Sequence, residues 1–337
     1  MQIITREQPN IHPIFNQFDK LYTELSEHTN SKKLVSAVYS DVFNPLIDLF
    51  KKYGYQGDII TRTKQLPPAI LPDNNHKDVI VCFSSGKDSI ATVKYFLDKN
   101  YNVYLYHMRH INPPLYDEYI QAEKLADYWN IPIYIDTIKL SGKHDYIEHP
   151  MKNYMIANGA LQWGIREGIT TNIAFGNYFT STLESDNFEF CGGDDLEMWE
   201  IYNSIIQTII PCFEMKIVLS SLNETLGKVC PDKELMEMSV SCLGRASMRT
   251  HWHDWVKNKY GITLPKHRCG RCYKCCVEYI YMTDHDLQEY SEEYYKYCFN
   301  NLRKNLQRED GIKYSDEEVW QHYFFYGRDR SKIFTCV

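Results

Sequence analysis

The 337-residue sequence contains no apolar run approaching the roughly 18 residues of a membrane-spanning helix. With 44% hydrophobic and 24% charged residues it has the composition of an ordinary soluble globular chain, so no membrane partner is expected. A basic-then-apolar leader is missing as well: Met1 to Asn10 is polar and of mixed charge, and the expected compartment is the cytoplasm. Positive charge is in deficit, with 37 Lys and Arg against 44 Asp and Glu and a net charge of −7. Nucleic acid is therefore not the expected partner, although Lys266, Arg268, Arg271 and Lys274 form a local basic group. There is no internal repeat or low-complexity tract, which excludes solenoid architectures. Two common phosphate-binding signatures, Gly-x4-Gly-Lys-Ser/Thr and Gly-x-Gly-x-x-Gly, are also absent.

Cysteine, by contrast, is plentiful. In a reducing compartment 11 cysteines do not read as a disulfide framework, and their clustering near Cys269 points to metal. Apolar positions at helical spacing between Phe15 and Tyr53, including Leu34, Val38 and Val42, predict two or three helices. Leu66 to Asn75, with three prolines, reads as a linker.

Beyond it, apolar runs (Asp78–Phe83, Asn102–His107, Ile131–Ile138, Thr171–Phe175, Met215–Leu219) alternate with amphipathic stretches (Ser89–Lys99, Leu115–Asn130, Met151–Gly168, Glu197–Thr208, Asn223–Met238). That alternation predicts an α/β fold, a doubly wound parallel sheet with crossover helices. The expected organisation is a helical N-terminal extension at 1–75, the α/β domain at 76–240 and a metal-binding helical region at 241–337 that ends in a packed helical tail.

The first strand of this series runs directly into Ser84-Ser85-Gly86-Lys87-Asp88-Ser89, and a helix follows. A strand-to-helix turn at the carboxyl edge of a parallel sheet presents backbone amides and a helix dipole to an anion. Gly86 permits close backbone approach, Ser84 and Ser89 add hydroxyl donors, and Lys87 offers a point charge. Asp88 is suited to Mg²⁺ or to capping the helix.

This segment resembles the phosphate loop of the PP-loop ATP pyrophosphatases, usually Ser-Gly-Gly-x-Asp-Ser, with Ser85 in place of the first glycine. The resemblance implies that Ser84, Ser85, Gly86, Lys87, Asp88 and Ser89 bind ATP. It also implies that Lys87, Asp88 and Ser89 are catalytic and that ATP and Mg²⁺ are the cofactors. His107 and Gly176, at strand ends on the same edge, are further candidates for the nucleotide site. Arg109, Arg245 and the acidic Asp186, Asp194 and Asp195 are weaker candidates.

Cys269, Cys272 and Cys275 repeat at an interval suited to sharing one metal, and Cys242 in Ser241-Cys242 supplies a fourth thiolate, with Cys276 spare. A closed Zn²⁺ site is expected, an iron–sulfur cluster is its rival, and His251 and His253 are alternative zinc ligands. The set resembles the C-terminal zinc site of 7-cyano-7-deazaguanine synthases, the QueC family, with a longer segment, Arg245 to Arg268, between the first two cysteines. Over about Asp78 to Glu278 the resemblance implies an ATP-dependent ligase that adenylates a carboxylate or amide of a small-molecule substrate, releases pyrophosphate and transfers nitrogen. Sulfur transfer to tRNA or a small molecule, and a nucleotide-binding regulatory protein without turnover, are the alternatives, and assembly as a homodimer stays open.

Overall fold

In a computed structural model of the chain, the structure describes residues 3–5, 33–35, 44, 48, 58–60, 77–110, 116–138, 152–178, 196–240, 246–265, 267–305, 315–320 and 333–335. Strands β1 (Ile3–Thr5), β2 (Lys33–Val35) and β3 (Asp58–Ile60) precede the main series. Then come β4 (Asp78–Cys82), α1 (Lys87–Asp98), β5 (Asn102–His110), α2 (Tyr116–Trp129), β6 (Ile133–Ile138), α3 (Lys152–Arg166) and β7 (Asn172–Tyr178). They are followed by α4 (Leu196–Gln207), β8 (Glu214–Ser220), α5 (Leu222–Val229), α6 (Lys233–Met238) and α7 (Ala246–Tyr260). The described elements end with α8 (Tyr273–Asp284), α9 (Glu292–Asn305), α10 (Asp316–Trp320) and β9 (Ile333–Thr335).

The main sheet has the order β1-β6-β5-β4-β7-β8-β9, parallel throughout except for β9, which runs antiparallel to β8. Its centre, β6-β5-β4-β7-β8, is the doubly wound arrangement: from β4 the chain moves outward through β5 to β6, then returns across α3 to start again at β7 on the other side of β4. The strand order reverses at a switch point between β4 and β7, the position at which open α/β sheets bind ligands beyond the carboxyl ends of their strands.

The pleat sorts the side chains between the two layers. Val79, Val81 and Phe83 share a core with Ile90, Val93 and Phe96 of α1 and Leu125 and Ala126 of α2. On the other face Ile80 approaches Gly164 of α3, and Tyr134 stacks on Trp163 of α3 at 5.1 Å. Burial on both faces explains why these strands read as continuous apolar runs. The same core continues through Val277, Tyr279 and Ile280 of α8 and Leu302 of α9, so the C-terminal helices share it with the sheet.

Several expectations are adjusted. The helix expected across 223–238 is two, because Pro231 supplies no N–H; α6 restarts with Asp232 as its N-cap, accepting from the amides of Glu234 and Leu235 at 3.1 Å. Strands β5 and β7 run further than their apolar runs, placing His107 and Gly176 inside strands rather than at their ends. Residues 33–35 are strand rather than helix, paired with β3, whereas Asn44 and Asp48 are helical. The rest of the helices expected in 15–53, the loop at 179–195, Cys242 and Arg245 lie outside the described residues. The segment between Arg245 and Arg268 contains α7. No described helix is long and apolar enough to cross a membrane.

Candidate functional site: a phosphate loop beside a cysteine knuckle

The loop at the end of β4 occupies the switch point. The Phe83 amide donates to Tyr106 O at 2.8 Å, carrying the β4–β5 pairing to the residue before the loop. Gly86 is the N-cap of α1, and Ile90 N–H closes the first helical turn on Gly86 O at 3.0 Å. The hydroxyls of Ser84 and Ser89 lie 3.4 Å apart, Ser84 N–H donates to Ser89 Oγ at 3.3 Å, and Ser89 Oγ donates to Gly86 O at 2.9 Å. Ser84 is exposed, and Gly86 and Asp88 are half-buried.

The sharpest bend falls at Ser85, with φ 57°, and not at Gly86, whose φ is −77°. The position where the resembling family uses its first glycine is thus the one that needs the left-handed region. Ser85 is fully buried there, its Oγ 2.6 Å from Ser84 O and 3.1 Å from Glu118 O, while its own carbonyl accepts from Val240 N–H at 2.8 Å. Those contacts offset a backbone cost of about 1–2 kcal/mol for a residue with a Cβ.

Gly176 of β7 supports the loop from beneath. A Cβ at this position would stand 2.0 Å from Thr92 Oγ1 and 2.7 Å from Asp88 O, so α1 seats on β7 only because residue 176 lacks a side chain. His107 of β5 is buried, with Nδ1 2.8 Å from Phe83 O. Burial pushes it down to about 4, against the Phe83 hydrogen bond, and the Arg109 charge adds to the fall. The Phe83 carbonyl requires Nδ1 to carry the proton, which fixes the neutral tautomer beside the loop. The Arg109 guanidinium lies over the Tyr119 ring, 3.9 Å from its centroid.

Lys87 is turned into the protein interior. Its ammonium is 2% exposed and pairs with Glu278 of α8, whose other oxygen accepts from Arg268 Nε at 2.5 Å. Arg268 continues to Ser239, donating to its carbonyl and its Oγ at 2.6 Å each. Burial alone would raise the Glu278 carboxyl, but the adjoining Arg268 and Lys87 charges outweigh it and hold the group below the usual carboxylate range. Arg268, assigned from sequence to a basic surface group, is in fact 2% exposed. Arg271 lies over the Trp252 ring at 3.3 Å. Lys266 is outside the described residues.

Next to this network lies the cysteine knuckle. The sulfurs of Cys269, Cys272 and Cys275 lie within 4.8 Å of one another, with Cys269 to Cys275 at 3.9 Å and Cys272 to Cys275 at 3.4 Å. Tetrahedral bonds of about 2.3 Å to one zinc would place sulfurs about 3.8 Å apart, so the three donors fit a single ion. The amides of Arg271 and Cys272 point at Cys269 Sγ at 3.4 and 3.3 Å, and Cys272 is the N-cap of α8, where amides and dipole favour thiolate. Gly270 makes the turn at φ 71°; a Cβ there would meet Leu264, Val256 and the Tyr294 hydroxyl, all under 3.0 Å. Cys276 is buried away from the group, with Asn301 Nδ2 at 3.2 Å from its sulfur. His253 Nε2 faces Arg268 O, and neither it nor His251 joins the sulfur group.

Sequence reasoning missed Glu278 and Ser239. The available signal was a lone carboxylate in the otherwise apolar Cys276-Val277-Glu278-Tyr279-Ile280, one helical turn past Cys275.

Fold and site together define a doubly wound α/β protein with a serine- and glycine-containing turn at its switch point and three clustered thiols at the start of an adjoining helix. No protein-family model matches the chain, and no curated protein matches it. Among solved structures it is similar to the U34-tRNA thiolase NcsA from Methanococcus maripaludis with its [4Fe-4S] cluster, at 18% identity over 55% of this chain and 67% of that one, with a TM-score of 0.34. It is also similar to a universal stress protein from Archaeoglobus fulgidus DSM 4304, at 11% identity over 57% of this chain and 61% of that one, with a TM-score of 0.25. Neither is close enough to carry a function across.

Proposed function

We propose that the chain is an ATP-dependent enzyme of the PP-loop pyrophosphatase type that transfers an adenylyl group to a substrate oxygen and releases pyrophosphate. The observation that carries the reading is the Ser84–Ser89 loop at the switch point, with the amide end of α1 and two hydroxyls turned to one place. The left-handed bend at Ser85, held by its hydroxyl on Glu118 O and by Val240 N–H on its carbonyl, supports a loop of fixed shape.

In this reading the amides of the first turn of α1 and the hydroxyls of Ser84 and Ser89 hold the phosphates, and Asp88 binds Mg²⁺. The substrate oxygen attacks the α-phosphorus, the bond to the β-phosphate oxygen breaks, and pyrophosphate leaves. A nucleophile then displaces AMP from the activated carbon, and the substrate's oxygen departs with it.

Two nucleophiles are consistent with this site. Sulfur spacing suited to one ion favours zinc, hence nitrogen transfer by a QueC-like ligase acting on a deazaguanine-type or related substrate. Three thiols with Cys272 half exposed favour sulfur transfer to tRNA or a small molecule. A zinc ion on these thiolates would staple residues 269–275, whereas an iron–sulfur cluster would supply iron able to bind exogenous sulfur.

The test is α-labelled ATP incubated separately with a small-molecule cell extract and with bulk tRNA. AMP should form with the wild type and not with Asp88→Ala; ADP, or no product from either mixture, overturns the reading. Iron and acid-labile sulfide in anaerobically purified protein would select sulfur transfer, and zinc alone would select nitrogen transfer.

A further inference from the structure

We propose that the buried ion-pair ladder Lys87–Glu278–Arg268 couples the cysteine knuckle to the phosphate loop, so that metal bound at Cys269, Cys272 and Cys275 tightens nucleotide binding at Ser84–Ser89. The proposal rests on the reading of that loop as the ATP site.

Two of the ladder's three charges, Arg268 and Glu278, are carried by the two ends of the cysteine segment. Arg268 immediately precedes Cys269, and Glu278 lies one helical turn beyond Cys275. Between them the chain is shaped by amide-to-sulfur bonds onto Cys269 and by the left-handed Gly270. An ion shared by the three sulfurs fixes the spacing of these ends, and with it the position of the Glu278 carboxylate against Lys87.

The loop is gripped on both sides of Gly86. On one side Lys87, the first residue of α1, is held by Glu278. On the other, Arg268 bonds the carbonyl and hydroxyl of Ser239, and the next residue, Val240, donates its amide to Ser85 O. Both neighbours of the glycine that opens the amide end of α1 therefore depend on Arg268 and Glu278. If the knuckle opens, the Glu278 carboxylate shifts against the buried Lys87 ammonium, and the first residue of α1 shifts with it. A site built only to staple the tail would have no need for its end residues to reach the switch point.

The coupling is measured on the full chain, stripped of metal with a chelator and then resupplied with one equivalent of Zn²⁺. Hydrogen exchange of residues 84–90 is followed without nucleotide, and ATP affinity is measured by titration calorimetry. Zinc should slow exchange in that segment and tighten ATP binding by about tenfold, a typical coupling between two linked sites. Lys87→Met should still bind one zinc but lose the zinc dependence of both readouts, and Glu278→Gln, which keeps the size but removes the charge and one of the two acceptor oxygens, should weaken it. Zinc-independent exchange, or ATP binding of equal strength with and without zinc, overturns the coupling alone. Failure of ATP to bind in either state overturns the nucleotide reading and this proposal with it.

Discussion

Between pH 6.5 and 4 the protein should lose about 3 kcal/mol of stability through His107 alone. In the folded chain this imidazole is buried against Phe83 O and protonates only at about 4, whereas its ordinary value is 6.5. As the pH falls through 6.5 the unfolded chain takes up a proton that the folded chain refuses, so the equilibrium shifts toward unfolding by up to about 1.4 kcal/mol per pH unit. The loss ends near pH 4, where the folded histidine also protonates; the contribution is complete above 6.5 and gone below 4. His107→Asn is the matched perturbation, because its amide nitrogen can replace Nδ1 as donor to Phe83 O without titrating. Urea unfolding of both proteins from pH 7 to 4 gives the difference directly, since other groups, Glu278 included, cancel. The stability difference should change by about 3 kcal/mol in favour of the asparagine variant across that window. Parallel curves would refute the assignment of a buried neutral histidine, as would an NMR titration of His107 centred near 6.5.

Further outcomes follow from the same geometry. Gly176→Ala should cost about 1–3 kcal/mol in chemical unfolding, and adding Thr92→Ala should restore only part of it, because the Asp88 carbonyl at 2.7 Å remains in the way; full rescue would show that the hydroxyl alone sets the fit. Ser85→Gly should change the melting free energy by less than about 1 kcal/mol, as relief of the left-handed serine is set against a lost hydrogen bond and a more flexible unfolded chain. Ser85→Val, branched at Cβ and at the same φ of 57°, should be clearly worse in the same melt. Cys275→Ser should reduce the metal content measured by atomic absorption, whereas Cys276→Ser should leave it unchanged; equal losses would contradict the division of the cysteines seen here.

Much of the sheet was legible in the chain itself. Val79 to Phe83 is apolar without alternation because both faces are covered, and each crossover helix announced itself by its own amphipathic stretch. The candidate phosphate loop was legible because its residues are contiguous: one strand, one turn and one helix N-terminus. Local signals also misled where a backbone rule competed with periodicity, as at Pro231, or where pairing outlasted the apolar run, as at His107 and Gly176.

Neighbouring residues were thus enough for the class of the fold, the turn that follows β4 and the recurrence of three thiols at a ligand interval. The direction of Lys87 depends on packing between distant segments. Its sequence position suggests a phosphate, but its partner, Glu278, is 191 residues away and reaches it only because α8 packs into the same core as β4 and α1. A buried cation seeks the nearest compensating charge, and nothing in a linear chain says which carboxylate that will be. The same holds for Gly176, whose missing side chain acquires meaning only when Thr92 and Asp88 close on it.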